Sequence, residues 1–243
     1  MEWYKHWFNS KEYLNVYKHR DEKEAEELVK LVFDNISLSK NSHILDLAAG
    51  FGRHAILFAK LGYNVTAVDL SENLLSIAKE NAKSEGIHIN FVHSDIRNFN
   101  PDSQYDLIVN LFTSLGYFEE DEENYYILRK VFDILSAGGF FVLDYFNKNF
   151  VVKNIVAKTV EEIDDGVITQ HRFIEGERIV KEITIDKEGK VNKFYESVRM
   201  FSSNELIKMI QKLGFKNLRT FGDLSGNPFE LESSPRIIII VKK

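Results

Sequence analysis

The chain has 243 residues and a formal net charge of −6, with 31 lysines and arginines against 37 aspartates and glutamates. Hydrophobic residues make up 44% of it, which excludes intrinsic disorder and predicts a packed core. The acidic balance argues against a protein held to nucleic acid or anionic lipid by bulk charge. The absence of cysteine excludes disulfides, thiolate metal ligands and cysteine nucleophiles.

The first 36 residues are predicted to form an N-terminal helical cap, residues 1–36. Residues 22–36 carry apolar side chains at helical spacing, and Tyr13 and Tyr17, four residues apart, indicate a shorter helix before them. The beginning of the chain lacks the apolar run of a secretory signal, and no aliphatic run is long enough to span a bilayer. We therefore expect a cytoplasmic protein that does not cross a membrane.

Strand and helix signals alternate in the next hundred residues. Short aliphatic and β-branched runs predict strands at 43–47, 64–68, 87–92, 105–111 and 140–145. Helices are predicted between them at 52–61, 71–84 and 124–135. Such alternation predicts right-handed βαβ units, and hence an α/β fold whose parallel sheet is covered by helices on both faces.

The pattern changes after residue 155. Strand segments separated by glycine-containing turns predict an antiparallel β insertion over residues 155–201, acting as a lid or as a dimer element. A helix at 203–213 and strands at 215–221 and 236–241 follow. Because no repeat or proline-rich linker interrupts the chain, residues 1–243 are predicted to form a single domain.

The most informative segment follows the first predicted strand. Asp46 ends this strand, and Gly50 and Gly52 lead into the next helix, where a ligand could approach the backbone and the free N–H groups of the helix N-terminus. The spacing Gly50-x-Gly52-x-x-Ala55 also satisfies the loose dinucleotide motif, so an NAD(P)-dependent oxidoreductase stays open. However, the Asp46 carboxylate would repel a pyrophosphate and suits a ligand with a cationic amine.

Two more acids end the next two predicted strands. Asp69 lies about 20 residues after the glycines, where a carboxylate can accept both hydroxyls of a ribose. Asp95 follows the third strand, where its side chain and the Ile96 N–H could bind an adenine edge. Asp69 as a helix cap and Asp95 in an Asx turn are the structural alternatives. Because parallel strands end at one edge of a sheet, the three acids are together expected to line one crevice.

At this point the sequence resembles the class I S-adenosylmethionine-dependent methyltransferases. The residues that carry the resemblance lie in the segments Asp46–Gly52, Asp69–Ser71, Ser94–Ile96, Tyr105–Val109 and Leu135–Phe140. The resemblance implies a Rossmann-like, seven-stranded, mostly parallel sheet with an antiparallel last strand. It also implies S-adenosylmethionine as the cofactor and S-adenosylhomocysteine as its product.

The resemblance also implies roles for individual residues. Gly50 and Gly52 would approach the methionine part, Asp69 would hold the ribose, and Asp95 with Ile96 would bind the adenine. Further cofactor contacts are expected from residues in or beside these motifs, namely Ala48, Leu70 and Leu111. Ala48 and Ala49 stand where many family members have cysteine or glycine, and we expect the turn to tolerate this difference.

The sequence marks the residues around the reacting atoms less clearly. Methyl transfer from a sulfonium requires alignment of donor and nucleophile and exclusion of water, and it needs no metal. His19 and His171 are the candidate general bases, because a neutral imidazole works near physiological pH. Tyr117 is a further catalytic candidate.

The methionine end of the cofactor is expected to meet residues of the N-terminal segment and of the first βα turn. Tyr13 or Tyr17 would contact it, since both lie on one helical face. Arg53 or Arg20 would pair with its carboxylate, although an exposed helix cation is an equally good explanation for either arginine.

The placement of the β insertion resembles that in amino-sugar and in glycine or sarcosine N-methyltransferases. This implies a small-molecule acceptor, methylated on nitrogen or oxygen, and it suggests a homodimer contact through the insertion. Residues 110–113 lack the Asn/Asp-Pro-Pro-aromatic signature of base-directed amino methyltransferases, which weighs against nucleic acid. The alternatives are an RNA or protein methyltransferase, the oxidoreductase, and a non-catalytic cofactor-binding module.

Overall fold

The computed structural model of the protein describes residues 2–17 and 22–243. The helices are α1 (Trp3–Trp7), α2 (Tyr13–Val16), α3 (Glu22–Asn35), α4 (Arg53–Lys60), α5 (Glu72–Ser84), α6 (Asp121–Ile134), α7 (Lys148–Asn154) and α8 (Ser203–Lys212). The strands are β1 (His43–Leu47), β2 (Asn64–Asp69), β3 (Asn90–His93), β4 (Tyr105–Asn110), β5 (Leu135–Phe146), β6 (Lys158–Ile163), β7 (Gly166–Glu175), β8 (Arg178–Lys187), β9 (Lys190–Arg199), β10 (Lys216–Phe221) and β11 (Arg236–Lys242).

Seven strands form one mixed sheet in the order β10-β11-β5-β4-β1-β2-β3. The pairs among β1 to β5 are parallel, whereas β11 runs antiparallel to both of its neighbours, β5 and β10. Helices pack on both faces. The predicted fold class, a mostly parallel seven-stranded sheet with an antiparallel last strand, is therefore confirmed.

The alternation of side chains along the strands divides the core between the two faces of this sheet. In β1, Ile44 packs on the side of α3 and α4, with Leu28 and Phe58. Leu45 and Leu47 of the same strand pack on the opposite side, in the cluster that contains residues of α1, α6 and α8. The short aliphatic run of β1 is buried because helices cover it from both sides.

A second sheet lies within the predicted insertion. Strands β6, β7, β8 and β9 follow one another as an antiparallel meander, which confirms the predicted antiparallel β insertion. Tight turns join the strands, and Gly176 and Gly189 in two of these turns have positive φ angles, of 56° and 82°. The homodimer contact through this sheet stays a prediction.

Several elements differ from the sequence-based expectation; strand β3, for example, begins at Asn90 and not at residue 87. Helix α7 was not predicted, because its seven residues are too few to show a helical repeat. Helix α6 begins at Asp121 and not at residue 124, since its acidic first turn is favoured at a helix N-terminus. Strand β5 begins at Leu135 and not at residue 140. Its pairing with β4 shifts register between Tyr105 and Leu107, and the predicted strand at 140–145 covers only the part after this shift.

Within the two described ranges, no helix combines the length and the apolar character that a membrane crossing requires.

Candidate active site

The turn between β1 and α4 is built for close approach to its backbone. Ala48, Gly50 and Gly52 all have positive φ angles, of 59°, 56° and 84°. A Cβ atom on Gly52 would lie 2.9 Å from the Cβ of Ala78 on α5, so the turn packs tightly there. A Cβ atom on Gly50 would have no neighbour within 4 Å, and the space beside this residue is open. Ala48 is strained in a conformation that costs an alanine more than a glycine.

Asp69, at the end of β2, connects this turn to the start of α5 by hydrogen bonds. Its side chain is 7% exposed. One carboxylate oxygen accepts a hydrogen bond from the Gly50 N–H at 2.7 Å, and the other accepts one from the Ser71 N–H at 2.7 Å. Burial raises the pKa of Asp69, and these N–H donors oppose that rise. Each oxygen retains a lone pair for a further donor, such as a ligand hydroxyl.

Asp46 presents a buried oxygen without a partner. The residue is 2% exposed and lies in β1, and its Oδ2 has no hydrogen-bond donor among residues 2–17 and 22–243. Burial, together with the nearby charge of Asp69, raises the pKa of Asp46 to about 8, although the Ala55 N–H and Arg53 oppose this. A buried acceptor of this kind is costly unless something donates to it. A ligand ammonium group fits both the unpartnered oxygen and the open turn beside it.

Asp95 is held by Arg97, a residue that no motif in the sequence indicates. The Arg97 guanidinium lies 2.6 Å from the Asp95 carboxylate, and the Arg97 N–H donates to the same group at 2.9 Å. Arg97 also pairs with Glu2 at 3.0 Å and with Glu123 at 2.8 Å. Burial acts to raise the pKa of Asp95, but Arg97 outweighs it and the pKa is lowered. The carboxylate is therefore ionised at neutral pH and held in place by Arg97.

One crevice at the carboxyl ends of the parallel strands collects most of the predicted residues. Those that line it are Tyr13, Asp46, Ala48, Gly50, Arg53, Asp69, Leu70, Asp95, Ile96, Leu111 and Tyr117. Gly52 shapes the turn without lining the crevice. The aromatic residues Tyr4, Phe8, Phe51, Phe112 and Phe118 also line it. Their signal was weak, because most aromatic residues pack in cores.

The loop after β4 closes one side of the crevice in a strained conformation. Phe112 and Thr113, neither of them glycine, have consecutive positive φ angles of 58° and 56°. Asp144 holds them, because its carboxylate accepts the Phe112 N–H at 3.2 Å and its backbone oxygen accepts the Thr113 N–H at 3.0 Å. The Arg53 guanidinium lies 4.8 Å from the centre of the Phe112 ring. Strain of this kind concentrates at functional sites.

A second cavity adjoins the crevice and shares Phe8, Tyr13, Phe112 and Tyr117 with it. Its other walls come from the N-terminal helices, the ends of β5 and β11, and one face of the antiparallel sheet. These walls are formed by Trp3, Tyr17, Thr113, Asp144, Phe146, Arg172, Ile179, Lys181, Glu196, Val198, Pro235 and Arg236. The shared aromatic residues therefore separate two compartments that a pair of ligands could occupy side by side.

Glu196 on β9 fastens the N-terminal helices to the antiparallel sheet. Its Oε1 accepts hydrogen bonds from Trp7 Nε1 and from the Tyr17 hydroxyl, each at 2.5 Å. Its Oε2 lies 2.7 Å from Lys181 Nζ, which also donates to the Tyr17 hydroxyl. Burial acts to raise the pKa of Glu196, but Lys181 and the two donors lower it. Tyr17 thus lines the second cavity and not the crevice.

The three candidate catalytic residues lie in different places. Tyr117 lies where the crevice and the second cavity meet, and its ring packs against Trp3 with 5.3 Å between ring centres. His171 lies on β7 with its side chain exposed and lines neither cavity, so the structure does not bring it to the site. His19 lies outside the described residues, as does Arg20.

Comparison with known proteins relates this site to one family. Residues 44–139, which run from β1 into β5, match the family described as methyltransferase domain. The glycine/sarcosine N-methyltransferase of Aphanothece halophytica is 25% identical over 192 residues, covering 74% of this chain and 68% of the relative.

Solved structures share the fold. An S-adenosylmethionine-dependent methyltransferase from Clostridium acetobutylicum has a TM-score of 0.82 and 20% identity, with 95% of each chain covered. A sugar N-methyltransferase from Streptoalloteichus has a TM-score of 0.72 and 18% identity, with 95% of this chain and 92% of that one covered. The predicted resemblance to class I S-adenosylmethionine-dependent methyltransferases is confirmed.

Proposed function

We propose that the protein transfers a methyl group from S-adenosylmethionine to a nitrogen or oxygen atom of a small-molecule acceptor and releases S-adenosylhomocysteine. The observation that carries the proposal is the unpartnered, buried Asp46 oxygen beside the open glycine turn. When bound, S-adenosylmethionine supplies a methyl group that its sulfonium already activates. The family match and the fold support the same activity.

The residues of the crevice would bind the cofactor by its polar groups. Asp46 would accept a hydrogen bond from the ammonium group, and its ionisation becomes favourable once a cation lies beside it. Asp69 would accept the ribose hydroxyls, and Asp95 with the Ile96 N–H would bind the adenine. Arg53 lines the crevice and carries the charge that the methionine carboxylate needs.

The acceptor would occupy the second cavity, with its nucleophilic atom toward the shared aromatic wall. Phe8, Phe112 and Tyr117 would exclude water and align the two reactants there. The Tyr117 hydroxyl would orient the nucleophile by a hydrogen bond. An amine nucleophile must reach the site unprotonated, because only its lone pair can form the new bond.

Two observations favour a small acceptor over RNA or protein. The second cavity lies between the N-terminal helices and the antiparallel sheet, and Glu196 joins these two walls. The names of two similar proteins, a glycine/sarcosine N-methyltransferase and a sugar N-methyltransferase, refer to small acceptors.

Thermal unfolding with added ligand tests the cofactor. The protein is melted with S-adenosylhomocysteine and, separately, with NADH. A ligand at about 100 times its dissociation constant adds about 2.7 kcal/mol to the free energy of unfolding. We expect a rise in melting temperature with S-adenosylhomocysteine alone. A rise with NADH alone, or with neither ligand, would contradict the proposal.

A further inference from the structure

One cation in the lining of the second cavity has no carboxylate partner among the described residues. Three cations and two carboxylates line the cavity. Lys181 pairs with Glu196 at 2.7 Å, and Arg236 pairs with Asp144 at 3.3 Å and with Glu24, outside the lining, at 2.7 Å. The remaining cation is Arg172 on β7.

Among the described residues, Arg172 is bound only by neutral side chains. Its guanidinium donates to Thr159 Oγ1 at 3.1 Å and to Gln170 Oε1. Over residues 2–17 and 22–243, no carboxylate oxygen lies within 4 Å of its guanidinium nitrogens, the distance that defines an ion pair. The two neutral acceptors orient the guanidinium without neutralising it. Other N–H groups of its planar fork remain for a ligand.

The register of the antiparallel sheet places a second cation beside Arg172. Arg172 pairs directly with Lys181 on β8, and Lys181 pairs directly with Glu196 on β9. Two like charges at directly paired positions destabilise a sheet. Arg172, Lys181 and Glu196 thus form one charged row across three strands, with two positive charges and one negative charge. The Glu196 carboxylate is already engaged by Trp7, Tyr17 and Lys181. A bound anion would balance the second positive charge.

We propose that Arg172 binds an anionic group of the acceptor, a carboxylate or a phosphate, beside Lys181. The identification of the ligand as the methyl acceptor rests on the proposed function, whereas the anion site itself does not. Arginine binds both groups through two parallel N–H donors, which fixes orientation as well as charge. Because Arg172 lines the second cavity and not the crevice, it holds the anionic end away from the cofactor. The acceptor is therefore an amine or hydroxyl compound with an acidic group at some distance from the methylated atom.

The two tryptophans of the chain provide a direct reporter. Trp3 lines the second cavity, and Trp7 donates to Glu196 in the charged row. Tryptophan fluorescence is followed while the full-length protein is titrated with acetate, with inorganic phosphate and with the uncharged isostere acetamide, at constant ionic strength. The titrations are made with and without saturating S-adenosylhomocysteine.

The variants Arg172→Gln and Arg172→Lys are compared with Lys158→Gln. Lys158 is exposed on β6 of the same sheet and lines neither cavity. Lys158→Gln therefore removes one positive charge from the sheet, as Arg172→Gln does, but outside both cavities. We expect a saturable change with acetate or phosphate and none with acetamide. Loss of a charged hydrogen bond should weaken this binding about tenfold or more in Arg172→Gln. The weakening should be smaller in Arg172→Lys, and Lys158→Gln should behave like the unchanged protein.

Tighter binding of acetate would identify a carboxylate acceptor, and tighter binding of phosphate a phosphate ester. The absence of saturable binding of either anion would overturn the inference, as would equal dissociation constants in Arg172→Gln and the unchanged protein. Arg172→Gln should retain the melting shift with S-adenosylhomocysteine. Anion binding without any such shift would leave the anion site standing and refute the methyltransferase instead.

Discussion

The ionisation of Asp46 should make cofactor binding depend on pH. With a pKa of about 8, this carboxyl is protonated in most molecules of the free protein at neutral pH. A ligand ammonium group needs the ionised form. The ionised fraction rises from about 1% at pH 6 to about 50% at pH 8, so the dissociation constant of S-adenosylhomocysteine should fall about 50-fold over this range.

Isothermal titration calorimetry at several pH values measures this effect. 5′-Methylthioadenosine is the matched control, because it keeps the adenine and the ribose but has no ammonium group. Any pH dependence that comes from Asp69 should therefore appear with both ligands. The variant Asp46→Asn should bind S-adenosylhomocysteine more weakly and with no such pH dependence. Equal pH slopes for the two ligands would refute the assignment of Asp46 to the ammonium group.

Three further predictions concern stability and the walls of the site. Because the pKa of Asp46 is raised in the folded state, the free energy of unfolding should fall as pH rises from about 4, by about 4 kcal/mol at pH 7. Asp46→Asn should remove this loss, and similar pH profiles of melting temperature for the two proteins would contradict it. Gly52→Ala places a Cβ 2.9 Å from Ala78 on α5 and should lower the free energy of unfolding by about 2 kcal/mol. Gly50→Ala should lower it by about 1 kcal/mol, but its Cβ would obstruct the open space beside the turn. Chemical denaturation measures the loss of stability, and titration with S-adenosylhomocysteine measures the loss of binding. If Gly50→Ala bound S-adenosylhomocysteine as tightly as the unchanged protein, the ligand would not approach the Gly50 backbone closely. Glu196→Gln leaves Lys181 without its carboxylate and should cost about 3 kcal/mol, with lower turnover because the N-terminal helices loosen. Unchanged denaturation midpoint and turnover would show that this contact does not hold the cavity closed.

The crevice could be predicted from the sequence because its residues come from short, regular units. Asp46 lies one residue before the end of β1, Asp69 ends β2, and Asp95 follows β3, and these three strands are parallel. Parallel strands connected by right-handed helical crossovers end at one edge of the sheet, so a local pattern is sufficient to bring such residues together. The same rule places Ile96 and Leu111 beside them. The motif around Gly50 then indicates which edge faces the ligand.

The second cavity depends on contacts between distant parts of the chain. Trp7 and Tyr17 meet Glu196 across 189 and 179 residues. The alternation of residues in β7 predicts that Arg172 and His171 face opposite sides of the sheet, but it does not tell which side the N-terminal helices cover. For this reason the sequence alone cannot tell whether His171 or Arg172 faces the second cavity.

The sequence by itself therefore determined the α/β fold, the antiparallel insertion and most of the crevice, because these follow from the spacing of residues within and between adjacent elements. Only the tertiary structure decided that Tyr17 joins Glu196 and Lys181 in the second cavity, and that Asp144 holds Phe112 in a strained conformation. These contacts arise when the N-terminal helices, the end of β5 and the antiparallel sheet pack together. No local pattern encodes that packing, since it depends on the shapes of surfaces that the chain brings together only on folding.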